Sequence, residues 1–235
     1  MPERLAAVVG AFLRTTDTAS RWLGFSYSAG ESCPVLGPCT EALSSGGSVP
    51  DVKVKGRALL DTVENIRNRR GEPVLQELIA SLSPPHQQVF RDGIVFSHWY
   101  PLDAMTALMT ADVAKHDGGN GSVVVQRSEE VIDKQLRGVY RIFIRFGSPE
   151  FVIKRIAAIH ETYFENVGVE HQFLEDKRAV VRYAGFEPSH AIIEHAIVGF
   201  YRKALQIAGA ARVDARFVVP IASGRPSADV EIRWS

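Results

Sequence analysis

Val169-Glu-His-Gln-Phe-Leu-Glu-Asp-Lys-Arg-Ala-Val-Val-Arg-Tyr183 is the stretch that decides the fold. Its two apolar runs, Val169–Leu174 and Ala179–Tyr183, alternate with a period of two around the charged turn Glu175–Arg178, which predicts a β-hairpin. Further along, Val213, Ala215, Phe217, Val219 and Ile221 alternate, as do Val230, Ile232 and Trp234, with Ser223-Gly-Arg-Pro226 between them. Between the two hairpins, Pro188 opens a helix to about Ala208, with Ile193, Ile197, Phe200 and Ala204 on its core face. The order strand–strand–helix–strand–strand predicts an α+β fold, in which an N-terminal helical part packs on an antiparallel sheet.

Upstream, Val52-Lys-Val-Lys-Gly56 reads as a short strand, after which the period becomes helical. Leu59, Val63 and Ile66 share one face, and Leu75, Leu78, Ile79 and Leu82 share another. Ser83-Pro84-Pro85 ends that second helix and starts a short third one. Pro101 opens a helix with Leu102, Met105, Met109 and Val113 as its buried stripe, and Asp117-Gly-Gly-Asn-Gly121 is a loop. Ser128 is read as the cap of a long helix, with Glu129 and Glu130 at its positive end. Ser148-Pro149-Glu150 starts another. The expected organisation is an N-terminal extension, 1–51, and a single α+β domain, 52–235.

The chain has 235 residues, 27 Lys plus Arg against 27 Asp plus Glu, and 46% hydrophobic residues. That is enough apolar material for a core, and the zero net charge argues against nucleic acid as the main partner. No apolar run reaches the ~18 residues of a membrane span. Met1–Leu13 lacks the pattern of a secretory leader, so a cytoplasmic location is expected. Residues 14–50 are rich in Ser, Thr, Gly and Pro. Cys33 and Cys39 lie in that stretch, and their pairing stays open.

The residues that could carry chemistry are few. No His-Glu-x-x-His pattern and no Gly-x-Ser-x-Gly elbow occurs, so neither a metal site nor a catalytic group is assigned. On the Pro149–Asn166 helix, His160 sits inside the stripe Val152, Ile153, Ile156, Ile159, Tyr163 and Phe164. His190 falls on the buried side of its helix and His195 on the solvated side, whereas His98 precedes Trp99-Tyr100-Pro101 beside an expected pocket. Lys134, Arg137, Arg141 and Arg145 recur at three- and four-residue steps and form a cationic helix face suited to an acidic protein partner.

The Lys55-Gly56 start, Trp99-Tyr100-Pro101, Arg145-Phe-Gly-Ser-Pro-Glu-Phe151 and the closing Glu231-Ile-Arg-Trp234 resemble a family of unknown function largely restricted to myxobacteria, over about residues 52 to 234. More distantly, the order of elements is similar to four-vinyl-reductase-like and haem-nitric-oxide-binding domains. The resemblance implies a small-molecule pocket between helices and sheet, with a dimer or a sensory role. It departs from those relatives in two respects: the final hairpin carries no cysteine, and no Tyr-x-Ser-x-Arg phosphate clamp is present.

These readings converge on a non-enzymatic, sensor-like domain for a small apolar ligand, with His98, Trp99, Tyr100, His160, Tyr163 and Phe164 as the candidate binding residues. No cofactor is identified by the residues. Two alternatives stand beside it: a haem or gas sensor using His160, and an interaction module, homodimeric or with an acidic partner, using the Lys134–Arg145 face.

Overall fold

The computed structural model describes residues 51–135, 148–174 and 177–235, all within the compact unit Pro50–Ser235. Strand β1 (Lys53–Lys55) leads directly into helix α1 (Gly56–Arg70), followed by α2 (Glu72–Ala80) and α3 (Pro84–Arg91). Next come β2 (Trp99–Pro101), α4 (Leu102–His116), α5 (Ser122–Gln135) and α6 (Pro149–Tyr163). The C-terminal part runs β3 (Phe164–Glu165), β4 (Gly168–Leu174), β5 (Arg178–Ala184), α7 (Ile193–Ile207), β6 (Val213–Val219) and β7 (Ser227–Trp234).

The main sheet has the order β4-β5-β7-β6, antiparallel throughout. The α+β class and the strand–strand–helix–strand–strand order are therefore observed. Val169 pairs with Tyr183 and Ala179 with Ile232, so the alternating apolar residues share one face. That face forms the larger core with α6 and α7, burying Val181, Tyr183, Val230, Ile232, Ile153, Ile156, Ile197, Tyr201 and Leu205. Val63, Ile66, Leu75, Leu78, Ile79 and Leu108 form a second cluster among α1, α2 and α4. Asp229 and Glu231 are buried on the sheet but paired, Asp229 with Arg182 at 2.8 Å and Glu231 with Arg178 and Arg233. An unpaired carboxylate there would be costly.

A small sheet, β2-β1-β3, explains two of the sequence motifs. Gly56 donates its N–H to the His98 carbonyl at 2.8 Å, and a Cβ at Gly56 would lie 2.1 Å from the Val95 carbonyl oxygen. Lys55 Nζ stands 4.0 Å over the Trp99 ring, and the Tyr100 hydroxyl accepts from Val95 N–H at 2.7 Å. Lys55-Gly56 and Trp99-Tyr100 thus hold one corner of the fold together.

Three local expectations are corrected. Ser128 does not cap a helix. It lies within α5, and Asn120 Oδ1 instead accepts from the Ser122 N–H at 3.1 Å. Ser128 Oγ donates to the Ala196 carbonyl of α7 at 2.7 Å, a small polar residue placed where two helices touch. The segment after Pro188 forms a 3-10 turn, Pro188–His190, before α7 begins at Ile193. There His190 Nδ1 accepts from Glu187 N–H at 3.0 Å, which favours the tight turn. His195 is half-buried rather than solvated, its Nε2 2.3 Å from where a Cβ on Gly121 would stand. The reason is that α7 is covered on two sides, by the sheet and by α5. Arg202 pairs with Glu129, and Lys203 with Asp133, across that second contact.

The helix crossing depends on Gly199, where a Cβ would meet the Val125 carbonyl oxygen at 2.3 Å and Ser128 Cβ at 2.8 Å. Gly199→Ala is therefore expected to destabilise the fold by about 1–3 kcal/mol, because backbone must move to admit the methyl group. In urea denaturation Gly168→Ala should stay close to wild type, since its nearest neighbour would be Ala184 Cβ at 3.8 Å.

Candidate functional site

Five helices line a half-open cavity of about 180 Å³. Its walls come from α1 (Ala58, Ile66), α4 (Met105, Met109), α5 (Val124, Val131, Ile132), α6 (His160, Tyr163) and α7 (Ile193, Ile197, Phe200), with Phe164 of β3. This volume exceeds the roughly 150 Å³ of an apolar protein cavity known to take benzene or xenon. It falls short of the ~300–1,000 Å³ common for drug-sized ligands.

The polar groups on the lining are largely committed to protein partners. Asp61 accepts from Arg57 at 2.9 Å, Thr62 donates to the Ala58 carbonyl at 2.9 Å, and Asn65 Oδ1 accepts from Arg69 at 3.1 Å. Asp112, 1% exposed, is held by Arg70 at 3.2 Å and Arg127 at 2.7 Å. Asp117 joins the same network at 2.8 Å from Arg70. Burial opposes its ionisation, but hydrogen bonds from Arg70 and Arg127 outweigh that and hold its carboxyl below the usual range.

At the aromatic end, His160 is 5% exposed, and its Nδ1 lies 2.6 Å from the Tyr183 hydroxyl. Tyr183 in turn lies 2.9 Å from the Tyr201 hydroxyl, both tyrosines being fully buried. Phe200 and Phe164 meet the imidazole edge-on at 5.1 and 6.1 Å between centroids. Burial in this apolar shell drives the His160 pKa down to about 3 and raises both phenols. His160 is therefore a neutral imidazole at any ordinary pH.

Of the six binding residues expected from sequence, His160, Tyr163 and Phe164 line the cavity together. His98, Trp99 and Tyr100 do not. Trp99 and Tyr100 belong to β2, and His98 is exposed beside it. Of the cationic face, Lys134 is exposed, while Arg137, Arg141 and Arg145 lie outside the described residues. Sequence reasoning did not assign Met109, Arg127, Asp112, Tyr183, Tyr201 or Phe200 to the site. The available signal was Tyr183 and Tyr201 at core positions of a strand and a helix, since a buried phenol needs a hydrogen-bond partner. Among the described residues no group of three His, Cys, Asp or Glu side chains is arranged for a metal ion, and no helix is long and apolar enough to cross a membrane.

Comparison with solved structures places this architecture among H-NOX proteins. The H-NOX protein from S. oneidensis in its Fe(II)NO ligation state is similar with a TM-score of 0.58 at 16% identity, over 77% of this chain and 99% of that one. The Fe(II) unliganded H-NOX protein from K. algicida gives 0.57 at 12% identity, over 77% and 96%. A mutant of T. Tengcongensis H-NOX gives 0.52 at 10% identity, over 77% and 97%. No family model matches the chain, and no curated protein matches it. The fold is H-NOX-like.

The prosthetic group of that fold, haem, can be tested against the residues present. A porphyrin with two propionates needs more room than about 180 Å³ and cations for its carboxylates. Among the described lining residues the one cation is Arg127, and its guanidinium already pairs with Asp112 and Asp117. Among the described residues, the cavity does not fit a porphyrin.

Neutral burial of His160 has a measurable consequence. As pH falls, the unfolded chain takes up the imidazole proton near 6.5 while the folded chain resists until about 3. Stability is thus lost on acidification through that window, by about 1.4 kcal/mol per pH unit. Urea unfolding of wild type and His160→Gln at pH 6.5, 5.5 and 4.5 should show the difference between them shrinking at about that slope. A constant difference would mean that His160 is not buried in its neutral form.

Proposed function

We propose that this protein is a sensor-like domain that binds a small apolar molecule in the five-helix cavity, without catalysis. The observation that supports this reading is a cavity whose wall is aliphatic and aromatic, with one neutral imidazole beside Phe200 and Phe164. Its size suits a ligand of one or two rings, enclosed by apolar contact at about 25 cal/mol per Å² of buried surface. Ligand entry is read out through α7, because that helix touches both the cavity and the main sheet. The H-NOX-like fold supports a sensory role by analogy of architecture, and the motif residues Lys55-Gly56 and Trp99-Tyr100-Pro101 support membership of the myxobacterial family.

The haem alternative draws on the same fold, but the space and the committed Arg127 oppose it. Adding haemin to the purified full-length chain should give no Soret band that His160→Ala removes.

Benzene is the probe for the proposed cavity. A ligand that binds only the folded state stabilises it by mass action, by about 2.7 kcal/mol at a hundred times its Kd. Saturating benzene should therefore raise the Tm of the full chain by several degrees. Ala196→Phe, which fills the cavity from α7, should abolish that rise. An equal rise in the variant would place benzene elsewhere and reject the assignment.

A further inference from the structure

The buried chain His160–Tyr183–Tyr201 allows two orders of protons. In the first, Tyr201 donates to Tyr183, Tyr183 donates to His160 Nδ1, and the imidazole carries its proton on Nε2. In the second, Nδ1–H donates to Tyr183 and Tyr183 donates to Tyr201, whose own O–H then has no acceptor among the described residues. Tyr201 is fully buried, does not line the cavity, and has Tyr183 as its hydrogen-bond partner. Each order leaves one donor open: the Tyr201 O–H in the packed core in the second, the imidazole Nε2–H in the first. His160 does line the cavity, and with Nδ1 engaged by Tyr183, Nε2 is the ring nitrogen outside that hydrogen bond. Only the first order puts the open donor on a residue that lines the cavity, where a ligand can supply the acceptor.

We infer that the cavity selects small apolar molecules carrying one hydrogen-bond acceptor, a carbonyl oxygen being the simplest, held by the Nε2–H of His160. This rests on the cavity being the ligand site. The acceptor belongs at the aromatic end, between Phe164 and Phe200, because the opposite end has Asp112 and Arg127 already satisfying each other.

Two measurements on the full-length chain test this. Long-range proton–nitrogen NMR, with His160→Phe identifying the resonances, reads the tautomer directly. The Nε2–H form is expected, and an Nδ1–H form would overturn the inference. Titration with acetophenone and with α-methylstyrene, which replaces the carbonyl by a vinylidene group of nearly the same shape, reads the selection. Acetophenone should bind about 3- to 10-fold more tightly, the net worth of one hydrogen bond. His160→Phe should bring the two probes to equal affinity. Should that variant fail to fold, Tyr201→Phe serves, because it leaves Tyr183 donating to Nδ1 and should preserve both the tautomer and the preference. Equal binding of the two probes by wild type would overturn the selection. If neither probe binds while the Nε2–H form is present, the cavity reading falls and the selection with it, which separates that failure from a wrong proton order.

Discussion

Three side chains from three elements meet at one hydrogen-bonded line: His160 of α6, Tyr183 of β5 and Tyr201 of α7, at 2.6 and 2.9 Å. Each is a polar group deep in the main core, where an unpaired donor or acceptor costs about 1–3 kcal/mol. The line therefore fixes the sheet, the helix that precedes it and the helix that crosses it in one mutual arrangement. It also forms the aromatic wall of the cavity, because Phe164 and Phe200 close on the imidazole edge-on. Packing and site chemistry are the same contact here.

The opposite wall is held in a different way. Asp112, Asp117, Arg70 and Arg127 neutralise one another between α1, α4 and α5, so buried charge is present with each partner accounted for. Such a network specifies an arrangement more than it adds stability. Close contact of α5 and α7 at Gly199 and Ser128 joins two of the helices that line the cavity. The result is a small, mostly apolar space between two polar clusters. Architecture alone does not assign a ligand, since one fold hosts many sites. In this chain the committed cation and the limited volume separate the site from a haem pocket.

Much of the fold is legible because most strands and most helices bury a single face, β7 being buried on both. The hairpin at Val169–Tyr183, the β6–β7 pair and the stripes on α1, α2 and α4 follow directly from period. Errors arise where a helix has two buried faces or a tight contact. The apolar stripe of α7 marks only its sheet side and so puts His195 in solvent, whereas the α5 side is marked by Gly199, whose absent side chain carries no hydropathy signal. Ser128 looks like a cap in sequence because it precedes two glutamates. Its actual role, bridging to Ala196, is long-range and invisible locally. His160, Tyr163 and Phe164, expected on one helical stripe, line the cavity together, with Phe164 just past the helix in β3. Trp99 and Tyr100 stand outside this cavity, because aromatic character does not distinguish a cavity wall from a corner contact such as Lys55 on Trp99.

Crystals of the full-length chain held under xenon pressure would test the central claim most directly, because xenon enters apolar cavities and little else. The account predicts a xenon site among Met109, Ile197 and Phe200, within contact of the His160 ring, and its loss in Ala196→Phe crystals. Crystals with no xenon in that space, or with xenon only at other positions, would contradict it.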